Sequence, residues 1–424
     1  METIYALSSG SPPAGIAVIR VSGAGAGQAL VQLAGALPEK RRASFRTLRD
    51  AKGLPLDEAL VLWLPGPHTV TGEDIAELHL HGGRAVIAGV ETALSAMDGL
   101  RPAQPGEFTR RAFANGKIDL AEAEGLADLL AAETELQRRS AMAMVGGALS
   151  GQVEEWRGTV LKLSALVEAA LDFSDEDDVS ELPEQFGAQL RGFVTELSDW
   201  LERPRAEKLR EGFRVVLAGP PNAGKSTLFN ALLDDDAAII SPTAGTTRDV
   251  IERPVSLSGI PFLFVDTAGL RLKSDDTIEM IGIERARRQT ELADLTLWLG
   301  PEGEGPDGAW EIDAKADIDT SVRKKAPKLR ISAETGEGIA DLRRKLVEHA
   351  KMALPAPGSV ALNQRQADLI AEAHDALDDA TRLNDPLLIG EQLRLARRSF
   401  DRLIGQTSTE DMLDALFGRF CIGK

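Results

Sequence analysis

The chain has 424 residues, 43% of them hydrophobic, with 48 Lys and Arg against 66 Asp and Glu and a formal net charge of −18. That length calls for several domains, and the apolar content supports packed cores and argues against a disordered chain. The acidic balance excludes a global attraction to nucleic acid, so any RNA contact has to rest on a restricted surface.

The first 117 residues mix short β-like runs, such as GIAVIRVSG and EALVLWLP, with Gly/Pro turns and an apolar helix near AVIAGVETALSAM. This reads as an α/β or α+β domain over residues 1–117. The opening METIYALSSG lacks the basic start and apolar core of a secretory leader, and no run is long and apolar enough to span a bilayer. Residues 118–210 turn helical, rich in Ala, Leu and Glu at helical spacing, with an acidic break at DFSDEDDVSELPEQ. Between 211 and 350 strands and helices alternate: FRVVLAGPP, KSTLFNALL, IPFLFVDTAG, LADLTLWLG and KLRISAETG in turn, the signature of a parallel α/β sheet. ALPAPGSV reads as a Pro/Gly linker, and helices resume over 351–424. Two helical stretches, each a thin bundle alone, flank a complete α/β unit. That favours an α/β domain over 211–350 inserted into a discontinuous helical domain of 118–210 and 351–424 over a linear string of four domains.

GPPNAGKST spells G-x-x-x-x-G-K-S/T after an apolar strand and at the start of a helix, the context this phosphate loop requires. Asn222, Ala223, Gly224, Lys225, Ser226 and Thr227 then form the cradle: backbone N–H groups and the helix N-terminus face phosphate oxygens, Lys225 reaches the β/γ-phosphates, and Ser226 can ligate Mg²⁺. The plain alternative, a Gly-rich turn with an exposed lysine, does not account for the flanking strand and helix. Two stretches point to GTP. DTAG supplies Asp266 for the metal shell, with Thr267, Ala268 and Gly269 along the γ-phosphate, and AGTTRD places Thr246 and Thr247 like a switch threonine. Together these resemble the translation-factor-like GTPases. Their base-reading pattern Asn-Lys-x-Asp stands here as AKAD: Lys315 and Asp317 keep their places, but Ala314 replaces the asparagine, a lost amide that weakens guanine reading. Ser332 and Ala333 of SAETG match the loop that supports guanine. Leu270 stands where Ras-like enzymes carry a water-orienting glutamine. Glu279, taken alone, reads as a solvated charge.

GPPNAGKSTLFNAL, AGTTRD, DTAGLR and IGIERA, with TGEDIAELHLHGG, PGEFTRRAFANGKIDLAEAEGLADL and the terminal FCIGK, resemble the MnmE/TrmE family of bacterial tRNA-modification GTPases from Arg20 to Lys424. A ribosome-assembly GTPase would share the nucleotide motifs but not the N-terminal block or the tail. The resemblance implies an N-terminal tetrahydrofolate-binding and dimerisation domain, a helical domain and an inserted P-loop G domain. It implies a cytoplasmic homodimer, not bound to membrane, acting on tRNA with a flavin-dependent MnmG-like protein. A one-carbon unit on 5,10-methylene- or 5-formyl-tetrahydrofolate would go to the 5-position of the wobble uridine. Matched residue by residue, Asn222 with Ser241, Thr243 and Thr246 would surround K⁺, Ser226 and Thr247 would hold Mg²⁺, and Glu279 would be the catalytic glutamate beside Lys225. Arg20, Glu77, Lys117 and Lys424 would contact the folate. The tail would dock near that pocket and set Cys421, the sole cysteine, beside the one-carbon chemistry as nucleophile or as structural thiol.

Other features read more plainly. His79 and His81 alternate on one strand face and, with no ligand cluster nearby, read as structural or pocket-lining. DFSDEDD lacks the spacing and glycine of a calcium loop and reads as a solvated or hinge loop. The pairs Arg110–Arg111, Arg138–Arg139 and Arg397–Arg398 are candidate tRNA contacts that read, singly, as helix-surface charges. Two function classes follow: a GTPase that drives a tRNA-modifying complex, or a nucleotide-gated folate-binding scaffold with little turnover.

Overall fold

Apolar side chains alternate along Ala14–Ser22, so Ala17, Ile19 and Val21 are buried while Val18 and Arg20 lie on the other, partly open face. The computed structural model describes residues 2–172, 182–233, 238–239, 251–266, 287–318, 323–407, 410–418, 420 and 422–423. Contacts divide the chain into two units, the first of Met1–Ala127, Ser150–Trp156 and Phe400–Lys424, the second of Asp128–Leu149 and Arg157–Ser399.

The first unit is built on a six-stranded sheet. Its elements are β1 (Thr3–Leu7), β2 (Ala14–Ser22), α1 (Ala26–Ala34), β3 (Ser44–Arg49), β4 (Pro55–Leu64), β5 (Ile75–Gly82), α2 (Arg84–Ser95), β6 (Leu100–Pro102) and α3 (Glu107–Ala114). The strand order is β3-β4-β5-β2-β1-β6, antiparallel apart from the β1–β6 pair. Ile19, Val21, Val61 and Leu78 of one face pack with Leu30 and Leu33 of α1 and Val90 and Leu94 of α2. Each such side chain contributes roughly 1.5–3 kcal/mol by leaving water. On the opposite face Ile4 and Ala6 pack with Phe108 of α3, which sets that helix beside Arg20, the cross-strand partner of Ala6. Helix α4 (Leu120–Ala131) follows, and its first turns pack with the end of the chain: Leu120 and Ala123 meet Leu413, Phe417 and Phe420 in one apolar cluster.

The second unit holds α5 (Glu135–Val145), most of α6 (Ala148–Asp172), α7 (Phe186–Leu201) and α8 (Ala206–Glu211). Thr134 and Gln137 close a capping box at the start of α5. A seven-stranded sheet follows, ordered β13-β12-β11-β7-β10-β9-β8, with β7 (Phe213–Ala218), β8 (Ala238–Ile239), β9 (Ile251–Leu257), β10 (Ile260–Asp266), β11 (Leu295–Trp298), β12 (Trp310–Asp313) and β13 (Leu329–Arg330). The five strands from β13 to β10 run parallel, β9 pairs antiparallel with β10, and β8 pairs antiparallel with β9. Helices α9 (Lys225–Leu233) and α10 (Ile339–Ala353) cover the sheet through Leu228, Leu232, Leu342 and Leu346, in one core with Val215, Leu217, Phe264 and Leu297. Helix α11 (Gln364–Arg382) pairs with α7, and α12 (Pro386–Leu403) and α13 (Glu410–Phe417) complete the chain.

The stretch ALPAPGSV is anchored at both ends, with Ala356, Pro357 and Gly358 exposed between them. Leu354 is 3% exposed in the core of the sheet, and the Ser359 carbonyl accepts from Ser140 Oγ at 3.0 Å. Most of the acidic break lies outside the described residues. Among the described residues no helix is long and apolar enough to cross a membrane.

Candidate functional site

Strand β7 is central, with parallel neighbours on both sides, so the loop after Ala218 opens where successive connections diverge to opposite halves of the sheet. Ligands of open α/β sheets bind at such points. The loop needs its glycines. Gly219 has φ +146°, and a Cβ there would lie 3.0 Å from the Gly300 nitrogen; Gly224 has φ +98°, and Asn222 between them also adopts a positive φ, +63°. Lys225 is 7% exposed, and its ammonium donates to the carbonyls of Gly219 at 2.7 Å and Pro220 at 2.8 Å. Ser226 Oγ donates to Asp266 Oδ2 at 2.8 Å, joining the first turn of α9 to the end of β10. A hydroxyl and a buried carboxylate held side by side are hard oxygen donors of the kind Mg²⁺ takes.

The loop of the AKAD stretch lies beside this cradle. Lys315, at φ +64°, donates from Nζ to the Asn222 carbonyl at 2.8 Å, and the Ala316 amide donates to the Ile331 carbonyl at 2.9 Å. Ser332 is fully buried, its amide on the Glu337 carbonyl at 2.9 Å and its Oγ accepting from the Thr335 amide at 3.2 Å. Ala223, Ala314 and Ala333 all pack, partly buried, on the core of the sheet. At 314 an apolar methyl therefore occupies the place of an amide. Asp317 is exposed. The structure thus brings Asn222, Lys225, Ser226, Asp266 and Lys315 together. Ser241, Thr243, Thr246, Thr247, Thr267, Ala268, Gly269, Leu270 and Glu279 lie outside the described residues.

A second polar site lies on the β2–β5 face of the first unit. Arg20 and Glu77 are register partners, and the guanidinium donates to Glu77 Oε1 from Nε at 3.1 Å and from Nη2 at 2.8 Å. The Arg20 guanidinium also stands 6.0 Å from the centre of the Phe108 ring. His79 Nε2 is 3.3 Å from Glu77 Oε2, and His81 Nδ1 is 2.7 Å from Asp57 Oδ1. A half-buried cation and carboxylate beside an aromatic ring suit a heteroaromatic ligand with a donor–acceptor edge. Lys117 is exposed at the loop that precedes β5, where a Cβ built on Gly72 would lie 3.0 Å from its Cε. Cys421 and Lys424 lie outside the described residues.

One expectation is overturned. Arg111, read as a helix-surface charge, has a side chain only 7% exposed: Nη1 reaches Glu73 Oε2 at 3.0 Å, and Nη2 reaches Glu107 Oε1 at 3.0 Å and the Glu2 carbonyl at 2.9 Å. Glu73 also accepts from Ser22 Oγ at 2.8 Å, and Ser22 Oγ is 2.8 Å from Thr71 Oγ1. Burial opposes ionisation of Glu107, but hydrogen bonds from Arg101, the Gln104 amide and Arg111 carry its carboxyl down to about 2. Sequence reasoning missed this network, whose members are spread from Glu2 to Arg111. The i, i+4 spacing of Glu107 and Arg111 on α3 was its local sign.

A phosphate loop between a central parallel strand and its helix, with the loop serine bound to a carboxylate on the next strand, defines a P-loop nucleotide-binding protein. Two family models account for nearly the whole chain: the GTP-binding protein TrmE N-terminus matches residues 3–117, and the MnmE helical domain matches residues 120–421. The chain belongs to the MnmE family. It is 63% identical over 424 residues to the tRNA modification GTPase MnmE of Erythrobacter litoralis, with 100% of both chains covered. It is 63% identical over 435 residues to that of Novosphingobium aromaticivorans, again with 100% of both covered. Among solved structures it is similar to Era of Aquifex aeolicus at 24% identity and TM-score 0.24, over 41% of this chain and 69% of that one. The G domain of the T. maritima FeoB iron transporter gives 25% identity and TM-score 0.22, over 32% and 98%. Membership of the MnmE family sets aside the ribosome-assembly reading.

Proposed function

We propose that the chain is a GTP hydrolase that modifies the 5-position of the wobble uridine of certain tRNAs, with a flavin-dependent MnmG-like partner and a one-carbon unit borne on 5,10-methylene- or 5-formyl-tetrahydrofolate. The observation that supports it most is the Ser226–Asp266 pair at 2.8 Å beside the Lys225 ammonium, which gathers a phosphate cradle and hard-oxygen donors at one sheet edge. Lys225 is the buried positive charge assigned to the phosphates, which the loop amides would orient. Ser226 and Thr247 would hold Mg²⁺, which would supply neutralisation of the phosphate charge. Asn222 with Ser241, Thr243 and Thr246 would hold K⁺, which would supply positive charge where other GTPases use an arginine finger. Glu279 is assigned to orienting the attacking water. Lys315 and Asp317 are assigned to guanine, over a loop formed by Ser332 and Ala333.

In this reading residues 1–117 form the folate-binding and dimerisation domain, 118–210 with 351–424 the helical domain, and 211–350 the G domain of a cytoplasmic homodimer. Arg20 and Glu77, with Lys117 and Lys424, hold the folate. The test is GTP hydrolysis at high protein concentration in K⁺ and then in Na⁺ at equal ionic strength, with ATP alongside and the Glu279→Ala variant as control. The expected result is strong K⁺ stimulation, a preference for GTP, and loss of the stimulated rate in the variant. Equal rates in both salts refute the cation assignment, and negligible turnover in either favours the nucleotide-gated scaffold.

A further inference from the structure

Strand β12 ends at Asp313, and the loop that follows carries Lys315 and Asp317. The Ala314 methyl packs on the core of the sheet, but Lys315, Asp317 and Ile318 are exposed, so apolar burial fixes only the start of this loop. An asparagine at 314 would offer two N–H donors and a carbonyl to the groups around it; an alanine offers none. Polar contacts from other parts of the chain have to hold the loop instead.

Arg323 supplies such contacts. Its Nη2 donates to the Ala316 carbonyl at 3.1 Å and to the Ile318 carbonyl at 2.8 Å, the two residues that flank Asp317. Hydrogen bonds from a charged donor are stronger than those between neutral groups. Its Nη1 stands 3.9 Å from Asp313 Oδ2, which Arg330 Nε approaches at 3.3 Å. Asp313 is buried, so water screens its attraction for the two guanidinium groups little. The backbone beside Arg323 is anchored as well. Lys324 is buried, and its Nζ donates to the Trp298 carbonyl at 2.8 Å and pairs with Glu311. The Lys325 and Ala326 amides donate to the Glu302 carboxylate at 2.7 and 2.8 Å. Arg323 therefore reaches the loop from a fixed base.

We infer that Arg323 is a positioning residue for Asp317: it clasps the carbonyls on either side and so aims the carboxylate at the N1–H and 2-amino group of a guanine, in a loop that lacks the asparagine amide. The inference rests on the reading of Asp317 as the guanine contact. Asp313 holds the Arg323 guanidinium beneath the loop. Removing Arg323 leaves Lys315 on the Asn222 carbonyl and the Ala316 amide on the Ile331 carbonyl, but makes the stretch around Asp317 order itself each time a base binds.

The test is calorimetric titration of the full-length protein with GDP and with inosine diphosphate, which lacks the 2-amino group. The proteins compared are wild type, Arg323→Ala, Arg323→Lys, Asp317→Ala and the double variant of Arg323→Ala with Asp317→Ala. Arg323→Ala is expected to weaken GDP binding about tenfold and inosine diphosphate binding about threefold. Arg323→Lys, which keeps the charge without the planar fork, is expected to lose about threefold for GDP. Because Arg323 acts through Asp317, the double variant is expected to bind GDP within about twofold of Asp317→Ala alone, whereas general disruption of the loop would add its own loss. GDP affinity equal to wild type in both Arg323 variants overturns the inference. So does a loss of equal size for the two nucleotides, or one that adds in full to that of Asp317→Ala. If Asp317→Ala itself binds GDP as the wild type does, the guanine reading of Asp317 fails, and the inference with it.

Discussion

Replacing Glu107 with glutamine removes one charge from a site where three donors depend on it. Its carboxylate accepts from Arg101 at 2.7 and 2.8 Å, from the Gln104 amide at 2.9 Å and from Arg111 at 3.0 Å. The side chain is 12% exposed, so water screens these contacts little. Carrying a carboxyl from 4.5 to about 2 corresponds to about 3 kcal/mol of preference for the ionised form in the folded chain. The sign follows from the depressed value. The stabilisation is fully present above the unfolded value of 4.5 and is lost as pH falls toward the folded value of about 2. Glu107→Gln is therefore expected to destabilise the first unit by about 2–3 kcal/mol at pH 7, and by only about 1 kcal/mol near pH 3. Urea unfolding followed by amide exchange in β1 and α3 reads this, since a chain of two units need not unfold in one step. A gap between variant and wild type that stays constant from pH 7 to pH 3, or no gap at pH 7, would refute the reasoning.

Ser226→Ala removes the hydroxyl that joins the phosphate loop to Asp266; GTP hydrolysis is expected to fall on the order of 10²-fold, with more Mg²⁺ needed for half-maximal rate in a Mg²⁺ titration. Ala314→Asn restores an amide beside the base-reading lysine, and competition binding of GTP against ATP is expected to show guanine preference raised about tenfold. No change would mean that the methyl packing at 314 already holds the loop in its base-reading form. Glu77→Gln removes the charge that holds Arg20, and 5-formyl-tetrahydrofolate affinity by calorimetry is expected to drop about tenfold while GTP hydrolysis keeps its wild-type rate.

The phosphate site was legible because its parts are local. A buried strand, a glycine loop and a helix follow one another within about twenty residues, and the helix starts at Lys225, where the motif requires it. The sheet partners of β7 were not legible, since periodicity marks strands without ordering them. The residues 20 and 77 carry opposite charges in the sequence, but only strand register shows that they face each other. ALPAPGSV reads as a linker because proline and glycine punctuate it. Its backbone is nonetheless fixed by distant partners such as Ser140 and the core around Leu354. Arg110 and Arg111 looked alike as neighbours, but successive residues on a helix point about 100° apart. One therefore meets α13 and the other enters the network below the sheet.

That divergence gives one helix of eight residues three separate sets of contacts. Phe108 turns toward Arg20, Glu107 and Arg111 turn into the network that holds Glu73 and Ser22, and Arg110 turns out to Asp414. Gly106 gives up its side chain so that the last helix can end against it. Few of these contacts are independent. Glu107 ties Arg101 to Arg111, and Arg111 ties α3 to Glu73, so a change in one member alters the charge felt by the next. Substitutions on different faces of α3 are thus expected to combine non-additively when both face the network, and additively when one faces α13 and the other the network. The geometry of α3 accordingly separates a network that rests on buried charge from a contact with α13 that rests on close approach at Gly106 and on one exposed arginine.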